Sequence, residues 1–162
     1  MIIALIDEEK IIRYRIESPI MLTDKVEGLA PVECPDWCYV GDSIEKEEPL
    51  DLIKSRNIIS LKSVRDAEEI EVINCDGNLY DFDDKSRMRL EVALKALQLQ
   101  GASATVDWTM ADNSTTTITA NDILQVFAAA AVRSNELHVK YRTLKEQVSV
   151  AEDKAAVEAI NF

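Results

Sequence analysis

Glycine, histidine and cysteine are all scarce in this chain of 162 residues, which holds four, one and three of them. Each shortage closes off a class of chemistry. The glycines, Gly28, Gly41, Gly77 and Gly101, lie too far apart for a phosphate-cradling loop, whose backbone amides need glycines a few residues from one another. Nucleotide enzymes of the dinucleotide-binding or Walker type are disfavoured on that ground. With His138 as the lone histidine, any Ser–His or Cys–His catalytic pair must use it. It sits between Leu137 and Val139 on the flank of a helix, a place that suits a surface or interface residue better than a base held against a nucleophile. Cations are short as well: 18 Lys and Arg against 30 Asp and Glu give a net charge of −12. The deficit is −6 over residues 1–56, −4 over 57–110 and −2 over 111–162. Binding to duplex DNA or RNA needs clustered Lys and Arg, so a nucleic-acid partner is not expected. No apolar run approaches the ~20 residues of a membrane span, so membrane insertion is not expected either. The start, Met1 to Ile6 followed by Asp7, Glu8 and Glu9, lacks the basic residues and cleavage site of a signal peptide. The odd cysteine count favours a reducing compartment and folding in a cytoplasm.

What is present reads as α+β. Ile2 to Ile6 and Ile11 to Ile16 flank the polar turn Asp7 to Lys10, a β-hairpin in which Tyr14 and Ile16 alternate with Arg13, Arg15 and Glu17. Pro19, Pro31 and Pro35 punctuate the next segment, where Trp37 to Val40 is the best short strand. Ile44 to Pro49 is charged and proline-terminated, the composition of a linker. Ile58 to Ile70 reads as a helix, with Ser63 as one candidate cap and Arg65 to Glu69 as an i,i+4 ion pair. Asp76-Gly77 between apolar runs predicts a second hairpin. Asp83 and Asp84 precede a helix with Leu90, Ala93, Leu94 and Leu97 as its apolar stripe and Gly101 as its C-terminal cap. Thr105 to Met110 and Thr115 to Thr119 make a third hairpin. These elements group into a β-rich module over 1–45, a linker over 46–57 and a hairpin-and-helix domain over 58–162, ending in one long helix.

That last helix carries the strongest pattern in the chain. Thr119 and Asp122 are spaced as a capping box. Ile123, Phe127, Ala130, Ser134, Leu137, Tyr141, Leu144, Val148 and Ala151 then recur at alternating steps of 4 and 3. This is a heptad-like seam over a helix of roughly 30 residues. It suits a homo-oligomer, or packing on the helices over 58–70 and 86–100. A short helix over 152–160 folds back or continues it.

No grouping of side chains announces chemistry. Cys34 and Cys38 form a C-x3-C pair, and zinc would need two further ligands such as Cys75 and His138, far away in sequence. Asp76, Asn78, Asp81, Asp83 and Asp84 are rich in oxygen ligands but lack the EF-hand spacing and its terminal bidentate Glu. Turn and helix-dipole roles explain them more simply. No catalytic residue, metal site or cofactor is expected.

A family resemblance covers about two-thirds of the chain. Its residues run from Lys62 to Ile70, through Asp76-Gly77, Tyr80 to Asp83, Ser86-Arg87 and Ala93 to Leu97. They continue with Gly101, Trp108, Asp112 to Ser114, Ile118 to Ala120, Asp122 to Leu124, Arg133, His138 and Leu144-Lys145. Together they resemble the DUF4376 domain found in tailed-bacteriophage tail and tail-fibre proteins. The segment Cys34 to Asp42 is faintly similar to tail-fibre assembly proteins. The resemblance implies a non-enzymatic structural component of a phage tail, at the baseplate or in a fibre. It also implies other tail or fibre proteins as partners, self-association with a trimer favoured, and a place in the virion after assembly in the host cytoplasm. The long helix would link subunits, and the N-terminal module, through Trp37 and Tyr39, would dock on a neighbour. The alternative expectation is a tail-fibre assembly chaperone absent from the mature virion. A third is a hydrolase that uses the carboxylates over 76–84.

Overall fold

Ile2–Ile6 forms β1, the central strand of a three-stranded antiparallel sheet in the computed structural model, which describes residues 1–162. β2, Ile12–Glu17, lies on one side of it and β3, Ala30–Glu33, on the other. This central strand is apolar throughout, and its residues Ile3, Ala4, Leu5 and Ile6 are all buried.

The register of β2 explains a departure from the expected alternation. Ile12 pairs with Ile6, but Tyr14 pairs with Leu5, so Arg13 is an extra residue and the strand is bulged there. Ile12 therefore faces the core of Ala4, Ile6, Cys34 and Cys38. Tyr14 and Ile16 come out on the opposite face, beside Ile3 and Leu5, and are exposed. The expected strand over Trp37 to Val40 is a turn instead, closed by a bond from the Cys38 amide to the Pro35 carbonyl. Its place in the sheet is taken by β3, where Pro31 is tolerated because the strand lies at an edge.

Met1–Ile53 and Lys54–Phe162 are separate units. The helix expected from Ile58 starts at Leu50, so much of the supposed linker over 46–57 is its first part; α1 spans Leu50–Glu69. Pro49 stands immediately before this first turn, where its missing N–H costs nothing. Ser63 lies inside α1 and caps nothing.

In the second unit, β4 (Ile73–Cys75) and β5 (Asn78–Tyr80) form the hairpin that Asp76-Gly77 predicts. Both turn residues have positive φ, 50° and 82°, as a tight two-residue turn demands. α2, Asp84–Gln100, begins with the Asp83 carboxylate accepting from the Ser86 amide at 2.8 Å and ends at Gly101, whose amide donates to the Leu97 carbonyl. β6 (Thr105–Thr109) and β7 (Thr115–Thr119) form the third hairpin. α3, Ala120–Val150, opens with the Thr119/Asp122 capping box, both halves of which are made. Ala151 is extended, breaking the helix, and α4, Lys154–Glu158, folds back: the Asn57 side-chain amide on α1 donates to the carbonyls of Val157 and Ile160.

The core of this unit gathers Ile73, Tyr80 and Phe82 from the first of these hairpins, Leu90 and Leu97 from α2, Trp108, Met110 and Ile118 from the next, and Ile123, Val126 and Ala130 from α3. The architecture is α+β, with one long helix near the C-terminus.

Candidate functional site

Eight of the nine seam residues lie on α3 and Ala151 just past its end, and all nine are buried or half-buried within their own chain. Ile123, Ala130, Leu137 and Val148 are buried, and Phe127, Ser134, Tyr141, Leu144 and Ala151 are half-buried. The N-terminal part of the stripe lies in the core with α2 and the hairpins, where Phe127 meets Phe82 edge-to-face at 6.1 Å. Its middle and end lie along α1, and three contacts fix the direction. Ser134 meets Glu69, Arg65 lies 4.8 Å from the centre of the Tyr141 ring, and Lys54 donates to the carbonyl of Ser149 at 2.9 Å. Positions that rise along α3 fall along α1, so the two helices are antiparallel.

The densest polar cluster of the unit sits where α1 ends. Arg133 donates to the carbonyl of Glu69 at 2.7 Å, of Glu71 at 2.8 Å and of Val72 at 3.2 Å. The last turn of α1 contains no basic residue and no glycine stop, so its open carbonyls need an outside donor. One guanidinium, with its fixed fork of N–H groups, supplies it. Next to it, the Glu69 carboxylate accepts from the Ser134 hydroxyl at 2.6 Å and stands 3.1 Å from His138 Nε2. Ser134 and His138 are four apart on α3 and present to the same side. The expected Arg65–Glu69 pair is not formed; Arg65 turns to Asp66 and the Tyr141 ring instead.

This arrangement places a serine, a carboxylate and a histidine together, but in the wrong order for nucleophilic catalysis. Glu69 stands between the other two, whereas a histidine base must itself touch the hydroxyl. The cluster is a clamp that ties α1 to α3. Sequence reading missed Glu69 and Arg133 as its centre. The available signal was the i,i+4 pair Ser134 and His138 opposite an acidic helix end.

The other candidates are dispersed. Cys34 and Cys38 belong to the core of the first unit, where burial and the neighbouring Cys34 push the Cys38 thiol above its usual range. Cys75 packs against the core of the second unit, and burial raises its thiol too. The carboxylates over 76–84 are used singly. Asp76 shapes a turn, Asp83 caps α2 and is held low by the Ser86 amide, and Asp84 pairs with Arg87. No three of the His, Cys, Asp and Glu side chains come together in a way that would hold a metal ion. Trp37 packs against the first unit's core with its indole N–H on the Lys46 carbonyl, while Tyr39 is 59% exposed, with the Arg15 guanidinium 5.1 Å from its ring centre.

Two open grooves are predominantly apolar. In the first unit, Leu5, Tyr14, Ile16, Val26 and Leu29 line one of about 260 Å³. In the second, Met88, Arg89, Val92, Ala96 and Trp108 line one of about 390 Å³, with Lys85 on its rim and Arg89 lying 5.0 Å from the Trp108 ring.

Most of the residues on which the family resemblance rests have a place in this framework. Asp76-Gly77 and Asp112 to Ser114 make turns; Tyr80, Phe82, Trp108 and Ile118 fill the core; Asp83, Gly101, Thr119 and Asp122 cap helices; Arg133 and His138 form the clamp. No curated protein and no solved structure matches the chain at a significant level. The model of a domain of unknown function, DUF4376, matches residues 53–161, about two-thirds of the chain and nearly all of the second unit. The chain belongs to the DUF4376 family.

Proposed function

We propose that this protein is a non-enzymatic structural component of a bacteriophage tail, at the baseplate or in a fibre. The observation that carries the proposal is the way the family's signature residues are used. They build turns, caps, core and the α1–α3 clamp, as expected of a scaffold whose job is to hold a shape. The resemblance of those residues to tail and tail-fibre proteins supplies the setting.

In this role α3 holds the domain together along its inner side, and the links to other subunits fall to the outward faces of the helices. The first unit offers apolar surface for docking on a neighbour: Tyr39 and Val40 at an exposed turn, and Tyr14 and Ile16 on the open face of its sheet. The test is mass spectrometry of purified virions. The protein should be present in fixed ratio to known tail components, and its absence from finished particles would end the structural role.

The same experiment separates the alternative, a tail-fibre assembly chaperone that leaves before maturation. The net charge of −12 supports that reading, since it keeps a transient factor soluble. The half-buried position of Trp37 leaves Tyr39 and Val40 as the exposed part of its segment.

A further inference from the structure

Two turns of the second unit carry the makings of a spontaneous covalent reaction. Gly77 is the only glycine that follows an Asp or Asn, and Asn113 is the asparagine with the smallest residue, Ser114, after it. Both dipeptides are exposed at the tip of a hairpin, one in β4–β5 and the other in β6–β7. In such a pair the backbone nitrogen of the second residue can attack the side-chain carbonyl carbon of the first. At Asp76 the new N–Cγ bond closes a five-membered succinimide, and a carboxyl oxygen leaves as water. At Asn113 the side-chain nitrogen leaves as ammonia. Water then opens either ring at one of its two carbonyls. The product is aspartate or isoaspartate, in which the main chain runs through the side-chain carbon. A glycine nitrogen, with no Cβ beside it, is the least hindered attacker.

The same two restraints oppose this reaction at both tips. Asp76 and Asn113 have φ of 50° and 65°, the left-handed conformation. About the Cα–C bond, that conformation turns the next nitrogen nearly opposite the side chain, away from the carbon it would attack. The N–H is occupied as well. The Gly77 amide donates to Asn74 Oδ1 at 3.1 Å, and the Ser114 amide donates to Asp112 Oδ1 at 2.9 Å. An amide must give up its proton to attack, and a hydrogen bond to that proton favours the resting form. At Asp112 the acceptor is a carboxylate held below the ordinary range by its hydrogen bonds to Ser114, so its charge also opposes an anion on that nitrogen.

We propose that Asp76 and Asn113 are sites of isoaspartate formation kept inert by the folded turns, with Asn74 and Asp112 as the guarding residues. The guard at Asn74 is separable from the fold. Its backbone pairs with Leu79 in the β4–β5 ladder, and only its side chain reaches Gly77. Opening of a hairpin removes both restraints together, so the modification marks chains whose tips have opened. This inference does not rest on the tail assignment, which virion proteomics tests separately.

The experiment is prolonged storage of the full chain at pH 7. Isoaspartate is read by isoaspartyl methyltransferase labelling, and each tip is assigned by peptide mass spectrometry. Native wild type should accumulate isoaspartate at least about tenfold more slowly than the same chain kept unfolded in guanidinium chloride. Asn74→Val should speed the reaction at Asp76 about two- to tenfold, the range that one hydrogen bond represents. Valine suits a strand, so circular dichroism and melting temperature should be unchanged. Asn74→Asp keeps an acceptor oxygen and should hold the wild-type rate. Asp112→Ala should speed deamidation of Asn113 and leave Asp76 as it was. The tips are scored separately, so a variant that loosens one hairpin leaves the other as the test. Native and unfolded chains that age at one rate overturn the proposal. So does Asn74→Val or Asp112→Ala ageing no faster than wild type, or Asn74→Asp ageing as fast as Asn74→Val.

Discussion

Arg133, on α3, ends 2.7 Å from the backbone carbonyl of Glu69, 64 residues earlier in the chain. A helix end of a kind that is commonly closed locally with glycine is here closed by a distant side chain. Hydrogen bonds from a charged donor contribute about 1.5–3 kcal/mol. Arg133→Met should therefore cost about 2–3 kcal/mol in chemical denaturation, and Arg133→Lys should recover only part of it, because a single ammonium cannot span three carbonyls. Hydrogen exchange at the last turn of α1 should accelerate in both variants.

Internal packing of the α3 seam has its own signature. Leu137→Ala should destabilise by about 2–5 kcal/mol, the cost of a lost methyl cluster plus a cavity. Val132→Ala, on the exposed side of α3, should stay within about 0.5 kcal/mol. The loss at Leu137 should not depend on protein concentration. A seam shared between chains would give a melting temperature that rises with concentration.

Asp83 links the stability of α2 to pH. Its carboxylate is held below the ordinary range chiefly by the Ser86 amide. A group whose folded pKa is depressed stabilises the fold above its unfolded value, near ~4, and loses that effect as pH falls through the folded value. Asp83→Ala should melt earlier than wild type at pH 7, and the gap should close as the pH is taken below ~4. A gap that persists in acid would mean that the hydrogen-bond acceptor matters but its charge does not.

Thiol accessibility should divide the two units. Cys34 and Cys38 are buried and Cys75 is half-buried, and burial raises both Cys38 and Cys75. In native protein at pH 7, Cys75 should be alkylated first and slowly, with Cys34 and Cys38 reacting only when the first unit opens. Rapid labelling of Cys38 would contradict its placement in the core.

Local signals were the legible part of the fold. Asp76-Gly77, Asp83, Gly101 and the Thr119/Asp122 box each name their own structure, because a turn or cap is decided within four residues. The 4–3 periodicity marked a side of α3 on which its eight helical positions, Ile123 to Val148, are buried or half-buried, whereas Ala151 falls past the helix end and the fully buried Val126 lies outside the pattern. What covered that side was not legible, since amphipathicity says that a face is hidden and not by what. The bulge at Arg13 was invisible for the opposite reason. Ile12, Tyr14 and Ile16 alternate perfectly in sequence, and only pairing with β1 shows that one residue is skipped. The clamp was missed because Arg133 and Glu69 act through backbone carbonyls and long-range partners that no local spacing encodes.

Asn57, near the start of the second unit, holds the carbonyls of Val157 and Ile160 at its end, both at 3.2 Å. Entry and exit of this domain therefore lie side by side. A module built so can be spliced into a loop of a host protein through one narrow doorway, without prying the host apart. It can also be cut at the tip of the 110–114 turn and rejoined through its old ends with little strain. The same closure makes the domain all-or-nothing at its margins: removing the last few residues strips Asn57 of both partners and loosens the far end of the module along with the near one.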